Sequence, residues 1–366
     1  MSNDALLYQI SLKLIPGIGD VLIKNLISYC GSPGQVFKQS RSKLEKIPGI
    51  GTYLAGNVAG FKDFSRAEQE IEFINKHQIK PLFYLDKQYP SRLKDIPDAP
   101  CLLYALGNID LNPAKIVGIV GTRKASEYGK AFTQKLVHDL KEMNCLVLSG
   151  LAYGIDVIAH KAAIEEQLPT IGVLAHGLDR IYPAQHKNVA KKMLENGGLI
   201  TEFPSQTNPD RENFPKRNRI VAGMCDVLVV VETAIKGGAR ITAEIANSYN
   251  KDIMALPGRI NDYYSEGCNY LIKENKASMI TCPEDLMSLM RWDAKKGQAK
   301  QDANLFSQLL EEDAQLLLYI QQKQKIGIDE MAFDLQLDPG VLALKLLELE
   351  FEGYLRTLPG KRYELV

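Results

Sequence analysis

The chain has few cysteines, no long apolar run and no excess of either charge sign. Its 366 residues include six cysteines, which form neither a C-x-x-C pair nor a cluster with histidine. This pattern predicts a reduced, cytoplasmic protein without structural zinc or another metal site. The first residues, MSNDALLYQI, have no basic segment followed by an apolar one, so no signal peptide is predicted. Apolar stretches such as 227–231 are far shorter than the ~18–20 residues that span a bilayer, so no membrane contact is predicted.

Three motifs of nucleotide and ester chemistry are also absent. The sequence contains no G-x-G-x-x-G after the first strand, no G-x-x-x-x-G-K-[ST] and no G-x-S-x-G. No dinucleotide site, ATP site, hydrolase elbow or cofactor is therefore predicted. His160 follows Asp156 by four positions, a spacing that a catalytic pair could have. We favour the alternative in which Asp156 caps a helix or pairs with a loop arginine, while His160 fills a polar niche.

Charge is balanced over the whole chain but not along it. There are 44 basic and 44 acidic side chains. Residues 1–80 carry ten Lys or Arg and seven Asp or Glu, a net +3, whereas residues 305–366 carry six and eleven, a net −5. A polyanion would therefore have to bind at a local basic patch, and the last part of the chain is a poor place for one.

A short repeat marks the beginning of the chain. IPGIG occurs at residues 15–19 and again at 47–51, each time before a helical pattern. The pair resembles helix-hairpin-helix motifs and predicts a small helical (SAM-like) domain over 1–78. Such glycine turns expose amides at a helix N-terminus, where phosphate can bind. Neither hairpin has the Lys/Arg excess that DNA binding requires, so a purely structural role stays equally open.

From about residue 114, short apolar strands alternate with helical segments. The strands are KIVGIVG (115–121), CLVLSG (145–150), TIGVLAHG (170–177), GLITEF (198–203), DVLVVVET (226–233) and DIMALPG (252–258). Their alternation with helices predicts an α/β fold, with a Rossmann-like, doubly wound, mostly parallel sheet over 79–291. Ligands of such sheets bind at the carboxyl ends of the strands, so the loops after them are the predicted site.

The C-terminal part predicts a second fold. The polar stretch after Trp292 lacks apolar periodicity and predicts a linker over 292–304. Helical patterns at Asp313–Gln322, Ile328–Leu335 and Pro339–Glu352 precede two strands around a Pro-Gly turn. This order predicts a winged-helix-like domain over 305–366. Its net charge of −5 disfavours duplex binding, and a protein-interaction module is the favoured alternative.

Basic side chains gather in the strand-to-helix loops and first helical turns of the predicted sheet. They are Arg123, Lys124, Lys216, Arg217, Arg219 and Arg240. Cations at helix starts oppose the helix dipole, so their presence there favours a bound anion. Aromatic side chains are interleaved with them, as single-strand binding requires. In the alternative interpretation Phe214 belongs to the core. The arginines then pair with acidic side chains, namely Asp156, Glu202 and Glu232.

Five segments together carry a family resemblance. They are GTRKASEYG (121–129), SGLAYGIDVIAHKAA (149–163), GLDRIYPAQH (177–186), NFPKRNRIVAG (213–223) and LPGRI…EGCNYLI (256–272). In this order they closely resemble the DNA-processing protein DprA (Smf) family. The resemblance implies a single-stranded DNA-binding protein, not an enzyme, that protects incoming DNA and loads the recombinase RecA in natural transformation. It also implies a homodimer formed through the Rossmann-like domain.

The resemblance further implies which residues bind DNA. They are Gly121, Thr122, Arg123, Gly150, Asn213, Phe214, Lys216, Arg217, Arg219, Gly238, Arg240 and Thr242. Arg123 and Arg217 are expected to hold phosphates, and Phe214 to stack on a base. Where the family usually has a Ser-Gly-Ser-like turn, this chain has KGGARIT, so a phosphate seat at that turn stays an open question.

The same stretch supports an alternative function. GGARITAE (237–244) keeps the Gly-Gly and Glu spacing of the LOG-like phosphoribohydrolases, which cleave nucleoside monophosphates. Glu244 would be the acid/base in that case. The Pro and the Gly-Thr of the hydrolase motif are missing from this chain.

Overall fold

The computed structural model describes residues 3–292, 311–323, 326–352, 354–358 and 362–365. The chain divides into two units, Met1–Ala294 and Lys295–Val366. All but the first residue of the predicted linker lie outside the described residues. The boundary between 78 and 79 stays a prediction, because both predicted domains on either side of it fall within the first unit.

The first unit begins with helices that contain the repeat. They are α1 (Asn3–Leu14), α2 (Asp20–Cys30), α3 (Pro33–Val36), α4 (Arg41–Leu44), α5 (Thr52–Gly60) and α6 (Ser65–Lys76). Gly17 and Gly49 have φ of +80° and +84°, which glycine adopts without strain. A Cβ on Gly17 would lie 2.9 Å from Leu54, and one on Gly49 would lie 3.0 Å from Leu22. Each turn thus packs against the equivalent leucine of the other copy.

Strands and helices alternate in the rest of the first unit. They are β1 (Lys80–Phe83), α7 (Ser91–Lys94), β2 (Leu102–Asn108), β3 (Ile116–Gly121), α8 (Glu127–Leu140), β4 (Leu146–Ser149), α9 (Ile155–Glu165), β5 (Thr170–Val173), α10 (Lys187–Met193), β6 (Gly197–Thr201), α11 (Asn213–Met224), β7 (Val227–Val231), α12 (Gly238–Ser248), β8 (Asp252–Ala255), α13 (Glu266–Lys273), β9 (Ser278–Met279) and α14 (Pro283–Met290).

These strands form one sheet in the order β1-β2-β6-β5-β4-β3-β7-β8-β9. Strands β3 to β9 pair in parallel, while β2 joins β6 and β1 joins β2 in antiparallel fashion. The Rossmann-like α/β prediction is confirmed, and the six predicted strands are β3 to β8. Since β4 and β7 flank β3 on opposite sides, the strand order reverses at β3. The loops at this switch point are where ligands of such sheets bind.

The N-terminal helices are fixed to the antiparallel edge of the sheet. They share one apolar core with Phe83 of β1 and with Leu102 and Tyr104 of β2. A buried carboxylate adds a polar link, because Glu70 of α6 accepts a hydrogen bond from the Ser205 amide at 2.9 Å. The helical segment and the sheet therefore belong to one packed body.

The second unit is a small domain of helices and strands. Its elements are α15 (Glu311–Lys323), β10 (Ile326–Gly327), α16 (Ile328–Leu335), α17 (Pro339–Phe351), β11 (Leu355–Leu358) and β12 (Arg362–Leu365). The strands pair antiparallel in the order β10-β12-β11. Leu317, Leu342 and Leu346 are fully buried in its core. The predicted winged helix is confirmed, and its Pro-Gly turn lies outside the described residues.

Candidate nucleic-acid interface

A pocket of about 310 Å³ lies at the switch point, between the loops after β3 and β7 and the first turns of α11 and α12. Residues predicted from the sequence line much of it: Gly121, Thr122, Arg123, Phe214, Arg217, Gly238 and Thr242. A neighbouring recess shares Arg123, Phe214 and Arg217, and adds Gly150. The structure thus brings together eight of the predicted residues at one edge of the sheet.

Arg217 is the buried cation of this pocket. Its side chain is only 6% exposed, and its Nη1 donates a hydrogen bond to the carbonyl of Val173 at 2.9 Å. Burial lowers the pKa of Arg217, whereas the nearby charge of Asp156 raises it. Among the described residues, its buried Nε finds no acceptor. A buried polar group normally has a partner, so this guanidinium has donor capacity for an anion in the pocket.

Gly150, in the turn after β4, makes room for Arg217. A Cβ at this position would overlap the guanidinium group. Only glycine therefore allows the arginine to pass so close to the backbone. The glycine in this predicted turn therefore leaves the space that the guanidinium of Arg217 occupies.

Asp156 is a structural neighbour of Arg217 rather than half of a catalytic pair. It is buried, and it accepts a hydrogen bond from the Ala152 amide at 3.3 Å. Burial raises the pKa of Asp156, and the charge of Arg217 opposes that rise. His160 is also buried and bonds to Thr170 through Nδ1 at 2.7 Å, and burial lowers its pKa to about 3. The structure agrees with the non-catalytic interpretation of both residues.

An exposed cation lies on an aromatic platform at the mouth of the pocket. The guanidinium carbon of Arg123 lies 5.3 Å from the ring centroid of Phe214. The ring of Tyr182 packs edge-on against Phe214 at 6.1 Å. Arg123 and Tyr182 are exposed and Phe214 is half-buried. A flat ring beside a mobile cation can stack on a base while the cation meets the adjacent phosphate.

The altered KGGARIT turn places the N-terminus of α12 at the pocket. Its N-cap, Gly237, provides no side-chain cap, so the first amides of the helix have no intrahelical acceptor. A Cβ on Gly238 would meet nothing within 4 Å, so the space beside this residue is open. Thr242 donates its hydroxyl to the carbonyl of Gly238 at 3.2 Å. An uncapped helix N-terminus favours a nearby anion, and a phosphate seat at this turn stays a prediction.

Four predicted residues do not line this pocket. Asn213 is buried and donates to the carbonyl of Asn208 at 3.1 Å, so it fixes the start of α11. Lys216 is exposed on the same helix. Arg240 lies 3.4 Å from Glu244 and packs over the ring of Tyr270. For Asn213 and Arg240 the structure shows local contacts.

Arg219, the fourth, belongs to a buried ion cluster between the N-terminal helices and the sheet. Its Nη2 lies 2.5 Å from Glu202 and 3.4 Å from Asp20. Lys13 completes the cluster, at 2.7 Å from Asp20. The sequence analysis offered pairing of the arginines with acidic side chains as the alternative to DNA binding. That alternative is found for Arg219, which pairs with Glu202. This position fixes the helical segment to the sheet.

Two further residues of the pocket were not among the predicted DNA contacts. Asn218 lines the pocket beside Phe214 and Arg217. It is one of the aromatic and amide residues that are interleaved with the basic side chains in the sequence, and its position four after Phe214 puts both on one helix face. Tyr264, from the loop after β8, also lines the pocket. Its approach depends on the long loop that follows β8, which no local pattern reveals.

Comparison with known proteins places the chain in a family. The chain matches the model of the DNA recombination-mediator protein A over residues 80–291 and that of the DprA winged helix domain over 304–361. The chain belongs to the DprA (Smf) family. Family members are DNA-processing recombination mediators and not enzymes. Among the described residues, no helix is long and apolar enough to cross a membrane.

Individual relatives cover most of the chain. It is 30% identical to protein Smf of Synechocystis sp., with both chains covered over their full length. It is 38% identical over 204 residues to the DNA processing protein DprA of Streptococcus pneumoniae, covering 56% of this chain and 72% of that one. The X-ray structure of DprA from Streptococcus pneumoniae matches with a TM-score of 0.69 and 30% identity, over 79% of this chain and 98% of that one.

A second solved relative is DprA from Helicobacter pylori, with a TM-score of 0.54 and 29% identity, over 59% of this chain and 97% of that one. That structure is described for the unique single-stranded DNA binding mode of the Helicobacter protein.

Family membership rules against the phosphoribohydrolase alternative. Glu244, its acid/base candidate, is engaged with cations on both sides. Lys276 donates to Glu244 at 2.9 Å, and Arg240 lies 3.4 Å away. A carboxylate held in this way is unsuited to proton transfer at a substrate.

Proposed function

We propose that the pocket binds single-stranded DNA and that the protein acts as a recombination mediator through this site. The observation that carries the proposal is the buried guanidinium of Arg217, whose Nε lacks an acceptor among the described residues. It lines the pocket together with the N-terminal turn of α12. Both groups are donors that favour an anion, and a phosphate of the DNA backbone supplies one.

The shape of the site favours an unpaired strand. Arg217 is buried in a recess, and Phe214 offers a half-buried ring at its mouth. In a duplex the bases are stacked inside the helix and unavailable to such a ring. A single strand can splay a base onto Phe214 while its phosphates enter the pocket. The Helicobacter pylori relative, described for its single-stranded DNA binding mode, supports the same ligand.

Replacing the exposed cation should weaken binding mainly through the salt-dependent part of the affinity. In Arg123→Ala we expect a lower affinity for labelled oligo-dT and a slope of log K against log salt that is shallower by about 0.7, the contribution of one phosphate on a single strand. Fluorescence anisotropy over a salt series measures both quantities. Lys161→Ala, an exposed cation on α9, is the matched control and should leave the slope unchanged. Equal slopes in wild type and Arg123→Ala would remove Arg123 from the site.

Replacing the aromatic ring of Phe214 should remove the binding free energy that comes from stacking on a base. In Phe214→Ala we expect a loss of about 1–3 kcal/mol in binding, the value of one stacked base. Phe214→Tyr keeps the ring and should retain most of the affinity. Thermal unfolding of the same variants separates the two roles of the ring. A large fall in Tm with unchanged affinity per folded molecule would assign Phe214 to the core.

We further propose, from the family resemblance, that the protein is a homodimer through its Rossmann-like domain and loads RecA onto the bound strand. The recombinase would take over DNA that this protein holds. The test is RecA filament formation on strands precoated with single-strand-binding protein, with and without this chain. Stimulation that disappears in Arg217→Met supports loading, and equal stimulation by that variant would separate loading from this pocket.

Sedimentation equilibrium tests the proposed homodimer by giving the mass of the protein in solution. A monomer at micromolar concentration would contradict the dimer.

A further inference from the structure

Helix α17 of the second unit has apolar side chains on two opposite faces. Leu342, Leu346 and Leu349 face inward and are at most 2% exposed. A second set faces outward, and we name it the outer stripe: Val341, Leu344, Leu347 and Phe351. Leu344 is 64% exposed and Phe351 is 84% exposed. The members lie three or four residues apart, so they form one continuous strip along the helix.

Such a strip is unusual for a surface with nothing bound to it. Single exposed apolar residues are ordinary, but several large ones in line mark a surface that another molecule covers. In the element order of a winged helix, α17 is the last helix before the strand pair, the position from which related folds present a helix to DNA. The nature of its exposed face therefore decides what this domain can bind.

The charges beside the outer stripe exclude DNA as its occupant. Glu348 and Glu352 are exposed along one edge of the stripe. The one lysine of the helix, Lys345, is 3.3 Å from Asp313 and is thus already engaged. A helix that enters a DNA groove must neutralise phosphates, and acidic side chains beside an apolar strip repel them.

The same acidic edge disfavours a second copy of this chain. When two identical helices pack antiparallel about a two-fold axis, the same edge of each faces the other. Glu348 and Glu352 of both copies would then lie along the same edge of the contact. The whole region 305–366 also carries a net charge of −5, which repels another copy of itself.

We propose that the outer stripe docks an amphipathic helix of a partner protein whose apolar face is bordered by Lys and Arg. Apolar anchors at helical spacing give such a contact its affinity, and opposite charges along the edge select the partner. This inference is independent of DNA binding at the pocket. The winged helix is then the protein-recruiting module, in a different unit from the DNA site.

Two synthetic helical peptides test the proposal on the full-length chain. Both carry leucines at i, i+3, i+4 and i+7 and are held helical by a side-chain lactam. One has lysines along the edge of the leucine strip, and the other has glutamates. By fluorescence anisotropy, wild type should bind the lysine peptide at least about tenfold more tightly than the glutamate peptide. Leu344→Ser and Phe351→Ser should each weaken the lysine peptide about tenfold.

Two further variants make the result specific. Ile260→Ser removes an 88% exposed apolar side chain from the first unit and should leave peptide binding unchanged. The double change Glu348→Lys with Glu352→Lys should reverse the preference toward the glutamate peptide. No binding of the lysine peptide, equal binding of both peptides, or equal loss in Ile260→Ser would overturn the proposal. The proposal would also be overturned if Leu344→Ser abolished dimer formation or duplex binding.

Discussion

Arg217→Met should remove most of the affinity for single-stranded DNA. Arg217 is the buried cation that lines the pocket, and its guanidinium lies against Gly150 and donates to the carbonyl of Val173. A hydrogen bond to a charged group contributes about 1.5–3 kcal/mol, so the Kd for labelled oligo-dT should rise by roughly 12- to 140-fold. Methionine keeps much of the side-chain volume, so the loss reports the charge rather than a cavity.

The same substitution should destabilise the protein in a pH-dependent way. Without Arg217, the buried carboxylate of Asp156 loses its cation, and its pKa, already raised by burial, rises further. A carboxyl group whose pKa is higher in the folded state contributes stability at low pH and loses it as the pH rises through that pKa. The Tm deficit of Arg217→Met should therefore be largest at neutral pH and shrink as the pH falls toward the ordinary pKa of an aspartate, as circular dichroism can measure.

A double variant separates the two effects of Arg217. Adding Asp156→Asn removes the uncompensated charge, so the stability at neutral pH should recover. Binding should stay lost, because the cation is still missing. Recovery of oligo-dT affinity in Asp156→Asn with Arg217→Met would show that Arg217 acts only by holding the fold.

Arg219→Met should lower the stability of the fold without weakening DNA binding, although Arg217 and Arg219 are only two positions apart. Arg219 lies in the buried cluster with Glu202, Asp20 and Lys13. Removing one member of a buried ion cluster typically costs about 3–5 kcal/mol, because a charge is left unpaired. Chemical denaturation should show a loss of this size in the free energy of unfolding. Affinity for oligo-dT per folded molecule should stay within about twofold of wild type.

The acid partner of Arg219 supplies the control. Burial raises the pKa of Glu202, and the charge of Arg219 opposes that rise. Glu202→Gln combined with Arg219→Met should recover part of the stability at neutral pH, because no unpaired carboxylate remains on that side. A large loss of oligo-dT affinity in Arg219→Met at full stability would return Arg219 to the DNA site.

The contrast between these arginines shows what the sequence could and could not reveal. The NFPKRNR segment was correctly placed at a strand-to-helix junction, and Phe214 and Arg217 do line the pocket. Residues two apart on a helix point in different directions, so Arg217 and Arg219 could not both face one ligand. Helical periodicity would have placed the two arginines on different sides of α11. The cluster that receives Arg219 could not be foreseen, because Asp20 and Glu202 come from distant segments.

The sheet was predictable where its strands are buried on both faces. Apolar runs such as VLVVV of β7 give a strong signal, and all six central strands were found. The antiparallel strands β1 and β2 and the edge strand β9 were missed. The edge strands give little signal, because β1 has only four residues, one of them a proline, and β9 has two. Close contacts between segments that are distant in the sequence could not be predicted either. Nothing in the sequence around Gly150 says that a guanidinium from another segment will occupy the space beside it.

Single-strand recognition is tested most directly by measuring whether the intact protein prefers an unpaired strand. Labelled oligo-dT is titrated by fluorescence anisotropy, with unlabelled duplex of equal length as competitor, over a series of salt concentrations. We expect tight binding that weakens with salt and that duplex fails to displace. Binding that duplex displaces as well as oligo-dT does, or no binding at low salt, would contradict single-strand recognition at this pocket.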